Sequence, residues 1–464
     1  MSLIKRKDGE EQPYWPIGSY KLRIPFIHYR LELPEFIQGF VIFTIGLSMI
    51  EILTSKLGMS FEAALAVAIV TQFLMLLPST FGVPFVSGFI TPALPILILF
   101  ISNFEPGTTA IQALVAVQLI VAAIFLILGL TGFGKKFVLM LPRSLKSGIL
   151  IGAGISAIMT EIQVGGRVAD TPISLIIGGV LCLYVMFSLS FKKLYNRNKF
   201  FKKIANYGIM PPILIAMIIG WLVGEYPSPK IEWGITIPNM AELWKYTPFS
   251  VGFPNFELLL MAIPTGILAY IIAFGDIIVG ENIVNRANKL RKDEKVTIDV
   301  NQLHNLTAVR NVFHALFAPH PGLAGPIFTA GTASVAERYT FGRKAMDSIF
   351  SGTNTLLLSL ITAAFITPLI TLFQPYLPIA LSITLILTGY LCINIGMQQA
   401  HSDTERGVAG VMAIVLALYG ATYGLLIGLV LYFVVERKNI FKLGRPHQDE
   451  SSEENIEEEI KEVV

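Results

Sequence analysis

The chain has 464 residues, of which 53% are hydrophobic and only 14% charged, with a formal net charge of +3. Soluble domains carry about 25% charged residues, so a composition this apolar excludes a separate soluble enzyme domain. A charge this near neutral says nothing about partners, but its distribution along the chain does.

Residues 1–35 are polar and basic. They lack the short apolar core and small-residue cleavage site of a signal peptide, so they read as an N-terminal segment on the cytoplasmic side. Apolar blocks of about 20 residues follow, each long enough to cross a bilayer as a helix. The first seven fall at 36–54, 61–80, 83–102, 109–131, 145–162, 172–190 and 206–224. A polar stretch, 225–254, holds Trp233, Trp244 and Tyr246 and reads as an extracytoplasmic loop at the headgroup level. Seven more blocks fall at 255–283, 304–318, 323–337, 347–373, 376–397, 405–419 and 421–436. The tail, 437–464, is acidic from Asp449 to Glu462 and reads as a solvated, disordered cytoplasmic end. Cys182 and Cys392 both lie inside apolar runs and read as packing residues.

Lysines and arginines cluster in alternate connections. Lys135, Lys136, Arg143 and Lys146 form one cluster, Lys192, Lys193, Arg197, Lys199, Lys202 and Lys203 the next. Arg286, Lys289, Arg291, Lys292 and Lys295 form a third, and Arg338, Arg343 and Lys344 a fourth, whereas the opposite connections hold only Lys56, Arg167, Lys230 and Lys245. By the positive-inside rule both termini are expected in the cytoplasm of a multi-pass cell-membrane protein. Seven is an odd number, so the repeats 36–224 and 255–436 are expected to have opposite topology. The expected fold is an all-α polytopic membrane protein of about 14 segments in two inverted seven-helix repeats.

The third segment of each half is interrupted in the same way. One reads Val83-Pro84-Phe85-Val86-Ser87-Gly88-Phe89-Ile90-Thr91-Pro92, the other Pro319-His320-Pro321-Gly322-Leu323-Ala324-Gly325-Pro326-Ile327. Proline followed by glycine, then a Thr-Pro or Gly-Pro pair, suits an extended stretch leading into a half-helix that starts within the membrane. Such backbone survives at that depth only where protein or a water-filled cavity covers it. Two half-helices would aim their positive ends at a shared site, with backbone around Thr91, Gly322 and Gly325. Asp276 lies in an apolar run with no basic residue in its own span and is the candidate for coupling to a proton or cation such as Na+. Glu281 and Arg310 are placed nearer span ends, paired with each other or interfacial. Gln38, Gln72 and Gln118 suit hydrogen bonds between helices. The sequence carries no Walker-type loop, no metal-binding His/Cys cluster and no selectivity-filter pattern, so an ATP-driven pump, a metal site and a channel are not expected.

These residues resemble the nucleobase–ascorbate (uracil/xanthine permease) family and its relatives, the sulfate-permease-type anion transporters. Leu33-Pro34-x-x-Ile37-Gln38 resembles the Leu-Pro-x-x-x-Gln opening of the first helix in bacterial uracil permeases, which implies Gln38 as a substrate-binding residue. Val83 to Pro92 is similar to the family's strand and half-helix, which implies Phe89 near a bound base. Phe274-Gly275-Asp276 with Asn282-Ile283-Val284 resembles the eighth span, and Pro321 to Gly331 occupies the place of the tenth-span signature, with Gly322, Gly325 and Thr329 as its substrate-binding candidates. The resemblance implies a core and a gate domain, elevator-like movement, a nucleobase-like cargo carried with a cation or proton, and a homodimer. The departures are specific. The family's substrate-gripping glutamate is Ile272 here, and no carboxylate occurs from Pro319 to Ala336. Helix starts without a carboxylate suit a small anion such as sulfate or bicarbonate. The expectation is therefore a secondary transporter of a small polar solute, nucleobase-like first and anionic second. No enzyme activity, cofactor or nucleic-acid partner is expected, and a membrane scaffold or sensor is the rival from another class.

Overall fold

The computed structural model describes residues 3–198, 201 and 208–436. The acidic tail and the lysines at 199, 202 and 203 lie outside the described residues. Among the described residues six helices are long and apolar enough to cross a membrane: Leu33–Ser55, Phe61–Thr80, Thr108–Thr131, Arg143–Asp170, Phe256–Leu290 and Thr367–Gln399. Five shorter apolar helices, Thr91–Ile101, Pro172–Phe187, Met210–Leu222, Ile349–Ala364 and Ala421–Glu436, lie among them. The chain is a multi-pass membrane protein.

In chain order the elements begin with a hairpin, β1 (Trp15–Ile17) and β2 (Tyr20–Leu22). Then come α1 (Leu33–Gly46), α2 (Met49–Ser55), α3 (Phe61–Thr80), β3 (Gly88–Phe89), α4 (Leu94–Ile101), α5 (Thr108–Thr131), α6 (Gly134–Met140) and α7 (Arg143–Ile162). Next are α8 (Arg167–Asp170), α9 (Pro172–Phe187), α10 (Leu189–Arg197), α11 (Met210–Leu222), α12 (Met240–Trp244), α13 (Pro248–Val251) and α14 (Phe256–Leu290). The chain continues with α15 (Val300–Phe317), β4 (Ala324–Gly325), α16 (Thr329–Tyr339), α17 (Ile349–Ala364), α18 (Thr367–Phe373), α19 (Leu377–Gln399), α20 (Asp403–Tyr419) and α21 (Ala421–Leu431).

Local sequence sets many of these boundaries. Ser60, Asn255 and Asp299 accept backbone N–H bonds at the starts of α3, α14 and α15. Ser348 and Ser402 begin α17 and α20 with reciprocal capping boxes, each satisfying donors that would otherwise be orphaned. Two bundles result. In one, α1, α3, α5, α14, α15 and α17 pack together, and in the other α7 packs on α19 and α20 beside α9, α11 and α21.

Residues 3–32, read from sequence as a polar N-terminal segment, are a folded part of the first bundle. Arg6 pairs with Asp293 (2.7 Å) and with the buried Glu294 (2.9 Å). Arg23 is fully buried, pairs with Glu11 (2.9 Å) and lies 3.8 Å from the ring centre of Phe350. The Arg23 amide donates to the Thr80 carbonyl (2.8 Å), and Arg343 reaches Asp8 (3.1 Å). Burying such pairs costs desolvation, so their clearest effect is to fix which loops meet. Those loops are 291–299, 340–348 and the end of α3. Connections at the opposite end meet each other instead: the Ser60 amide donates to the Tyr246 hydroxyl (3.1 Å), and Thr171 bonds Tyr226 (2.8 Å).

Candidate functional site

The two interrupted segments cross inside the first bundle. β3 and β4 pair antiparallel over two positions, Gly88 with Gly325 and Phe89 with Ala324. The crossing extends through the Ile90 amide to the Gly322 carbonyl (3.0 Å) and the Phe328 amide to the Val86 carbonyl (2.6 Å). Glycine is required where the strands touch, since a Cβ on Gly325 would sit 2.6 Å from the Phe89 carbonyl carbon. Leu323, buried between them, adopts a left-handed φ of 48°, a strained conformation that only a well-determined surround maintains.

From this crossing two helices start without side-chain caps. Residues Thr91–Ala93 form a 3-10 turn leading into α4, with Ile90 preceding it, and α16 begins at Thr329 after Phe328. Neither Ile90 nor Phe328 carries a capping group, as is also the case at the starts of α1, α5, α7 and α19. At the first start Pro92 and Pro95 have no N–H, and the Ala93 and Leu94 amides bond the Ile90 and Thr91 carbonyls. That start therefore offers a ligand the Thr91 amide and the helix's partial positive charge. The second offers that charge and the amides ahead of Thr332, whose own amide bonds the Phe328 carbonyl. Phe89, Thr91 and Thr329 are half-buried here, and Ala330 is exposed.

The structure brings Asp276 to this place. Half-buried on α14, its carboxylate accepts the Thr329 hydroxyl bond at 3.3 Å, one residue into the second half-helix. Gln38 reaches the same half-helix farther along, where its amide and the Ser334 hydroxyl bond at 3.0 and 3.1 Å. Gly322 and Gly325 are buried within the crossing, beneath Phe89. Ile272, at the position of the family's glutamate, is buried.

Sequence reasoning misplaced Arg310. Asp299 caps α15, so the helix begins at Val300 and Arg310 lies about 15 Å along it at 1.5 Å per residue, well away from either end. Its side chain is fully buried; one terminal nitrogen donates to the Gly325 carbonyl (2.7 Å), the other to the Gly88 carbonyl (3.0 Å). It does not pair with Glu281, whose basic neighbour is Lys135. Among the described residues no carboxylate lies within ion-pair distance of Arg310. Beside it Asn311 brackets β4, donating to the Ala324 carbonyl (2.9 Å) and accepting from the Ala324 amide (3.0 Å). His320 stacks on Phe89 with ring centres 4.5 Å apart, accepts the Gly322 amide (3.0 Å), and receives the Gln118 amide on its carbonyl (3.0 Å). The signal for this group was a polar stripe, Thr307, Arg310, Asn311 and His314, at helical spacing on one buried face.

Comparison with known proteins gives three findings. Residues 39–301, more than half of the chain, match the model of the xanthine/uracil permease type described as "Permease family". No curated protein matches. Among solved structures the chain is similar to the transmembrane domain of a cyanobacterium bicarbonate transporter, BicA. The identity is 18%, with 85% of this chain and 96% of that one covered and a TM-score of 0.52. It is also similar to a murine anion transporter, Solute Carrier 26 family member A9, in the inward-facing state. There the identity is 14%, with 90% and 68% covered and a TM-score of 0.54. At these identities the likeness shows the fold alone.

Proposed function

Because the chain belongs to the Permease family, and so is a membrane transporter, we propose that it is a secondary active carrier of a small anion, coupled to a proton or Na+ through Asp276. The observation that carries this reading is the pair of uncapped half-helix starts meeting at the β3–β4 crossing, with no carboxylate from Pro319 to Ala336. Helix starts attract negative charge and supply donors that an anion accepts. Asp276 is the negative group beside them, so a bound proton or cation there would offset the charge brought in by the cargo. The anion thus moves ahead of the nucleobase in the order expected from the resemblance. A nucleobase remains the second reading, favoured by the half-buried Phe89 ring, and Ile272 counts against it because an alkyl chain cannot accept from a base's N–H edge.

Fourteen crossings in two inverted repeats, with both termini cytoplasmic, belong to the same proposal. Supporting it, the helix pairings come in exchanged sets: α5 packs on α15 as α17 does on α3, and α14 on α5 as α1 does on α17. In the other bundle α20 packs on α7 as α9 does on α19, and α20 on α21 as α9 does on α11. The two bundles are read as a core carrying the site and a gate, moving past each other in an elevator-like step. The test is thermal unfolding of the purified carrier with bicarbonate, sulfate, uracil or xanthine. A ligand at ten times its Kd stabilises the folded state by about 1.4 kcal/mol. Bicarbonate or sulfate is expected to raise the midpoint; stabilisation by the bases alone would replace the anion reading with the nucleobase one.

A further inference from the structure

We propose that Arg310 is the positioning residue that locks the two half-helix starts into one site, and that its charge, beyond its bulk, makes the site prefer anionic cargo. This rests on the anion reading above.

The strand pairing covers two residues, with one further backbone bond on either side, from Ile90 to Gly322 and from Phe328 to Val86. So short a ladder is one to whose register a side chain bonding both strands adds materially. Arg310 reaches across it. Its two terminal nitrogens bond the Gly88 carbonyl of one strand and the Gly325 carbonyl of the other, at 3.0 and 2.7 Å. One planar group thus spans strands from both halves of the chain, and either strand moving alone would break a charge-assisted bond. Asn311 holds only β4, so Arg310 is the member of the stripe that joins the two strands.

The charge itself is unusual. Arg310 is fully buried, its Nε is a buried donor without a partner, and its other polar neighbours on the helix face, Thr307, Asn311 and His314, carry no negative charge. An isolated buried cation is costly, and a neutral side chain of the same shape would hold an apolar crossing with less penalty. A guanidinium retained here raises the positive potential of a crossing whose two helix starts are already positive. An anionic cargo offsets that potential and a neutral one does not.

Lysine keeps the charge but, as a single ammonium, loses the planar fork that spans two carbonyls. Methionine keeps length and bulk and loses both functions. Arg310→Lys and Arg310→Met are compared with wild type in proteoliposomes, using labelled bicarbonate, sulfate and uracil, after folding is checked by gel filtration and thermal unfolding. Arg310→Lys should raise KM for the transported anion about ten-fold or more with a smaller change in kcat, while retaining preference for anion over uracil. Folded Arg310→Met should lose that preference. A folded Arg310→Met with wild-type KM and preference overturns the proposal. Should Arg310→Met not fold, an unchanged KM in Arg310→Lys overturns it equally. Equal loss of kcat on every substrate in both variants, with KM unmoved, would mean a packing role only and also overturns it. Wild type that carries uracil and neither anion defeats the anion reading itself, an outcome visible before any variant is made.

Discussion

Gly325→Ala tests the crossing most sharply. The added Cβ would lie 2.6 Å from the Phe89 carbonyl carbon, 2.7 Å from its oxygen and 2.8 Å from the Ile90 nitrogen. These are backbone atoms, so no side-chain rotation relieves the clash, and the strands must part by about 1 Å to reach ordinary contact. Parting them stretches the Arg310 bridge, now 2.7 Å to one strand and 3.0 Å to the other. Overpacking of this kind costs about 1–3 kcal/mol and a weakened bond to a charged group adds to it. A net cost of about 2 kcal/mol lowers the equilibrium constant for the assembled crossing about 30-fold. The assay is initial uptake at matched expression together with thermal unfolding in detergent. Gly410→Ala is the control, because a Cβ there meets nothing within 4 Å and a glycine within a helix gains about 0.5–1 kcal/mol on becoming alanine. The expected result is a stabilised, active Gly410→Ala and a destabilised Gly325→Ala with strongly reduced uptake. Wild-type uptake and unfolding temperature in Gly325→Ala would show that the strands do not need this close approach.

Asp276→Asn preserves size and hydrogen bonding to Thr329 but removes the charge. Gradient-driven accumulation should collapse while exchange of cargo survives at least in part, and normal accumulation across pH 5–8 would remove Asp276 from coupling. A cysteine at the exposed Lys193 should resist outside-only thiol reagents and one at the exposed Lys230 should react; the reverse pattern would overturn the topology. The hydrogen bond from Arg291, with Arg6 nearby, holds Asp293 below the usual carboxylate range. That depressed folded-state value means the docking of residues 3–32 gains stability above the unfolded value of about 3.9 and loses it as pH falls through the folded value. The Asp293 contribution to protease protection of residues 3–32 should therefore persist at pH 5–7 and be lost only in stronger acid, and Asp293→Asn should weaken protection at neutral pH; equal protection in the variant at pH 7 would show that this pair does not hold the segment.

Much of the architecture was legible because lipid imposes a simple rule. Apolar runs had to become helices, and the proline-glycine breaks at 83–92 and 319–327 had to be covered by protein. Thr91 and Thr329 stand at the starts of the two half-helices, and Asp276 meets the second of them. What escaped was long-range satisfaction of polar groups. Arg310 looked like a span-end charge because its partners are carbonyls of Gly88 and Gly325, which leave no mark in composition. The same holds for His320, whose ring finds Phe89 across the crossing. Residues 1–35 read only as a polar, basic N-terminal segment, because the order of 3–32 comes from pairs with Asp293, Glu294 and Thr80, all distant in sequence.

The central claim is coupled carriage of an anion at the half-helix crossing. The most direct measurement is uptake by wild-type proteoliposomes of labelled bicarbonate, sulfate, uracil and xanthine, each with and without an imposed proton or Na+ gradient. Bicarbonate or sulfate should accumulate above the outside concentration only when one of those gradients is present, and the bases should not compete. Gradient-driven accumulation of uracil or xanthine with no uptake of either anion would contradict it.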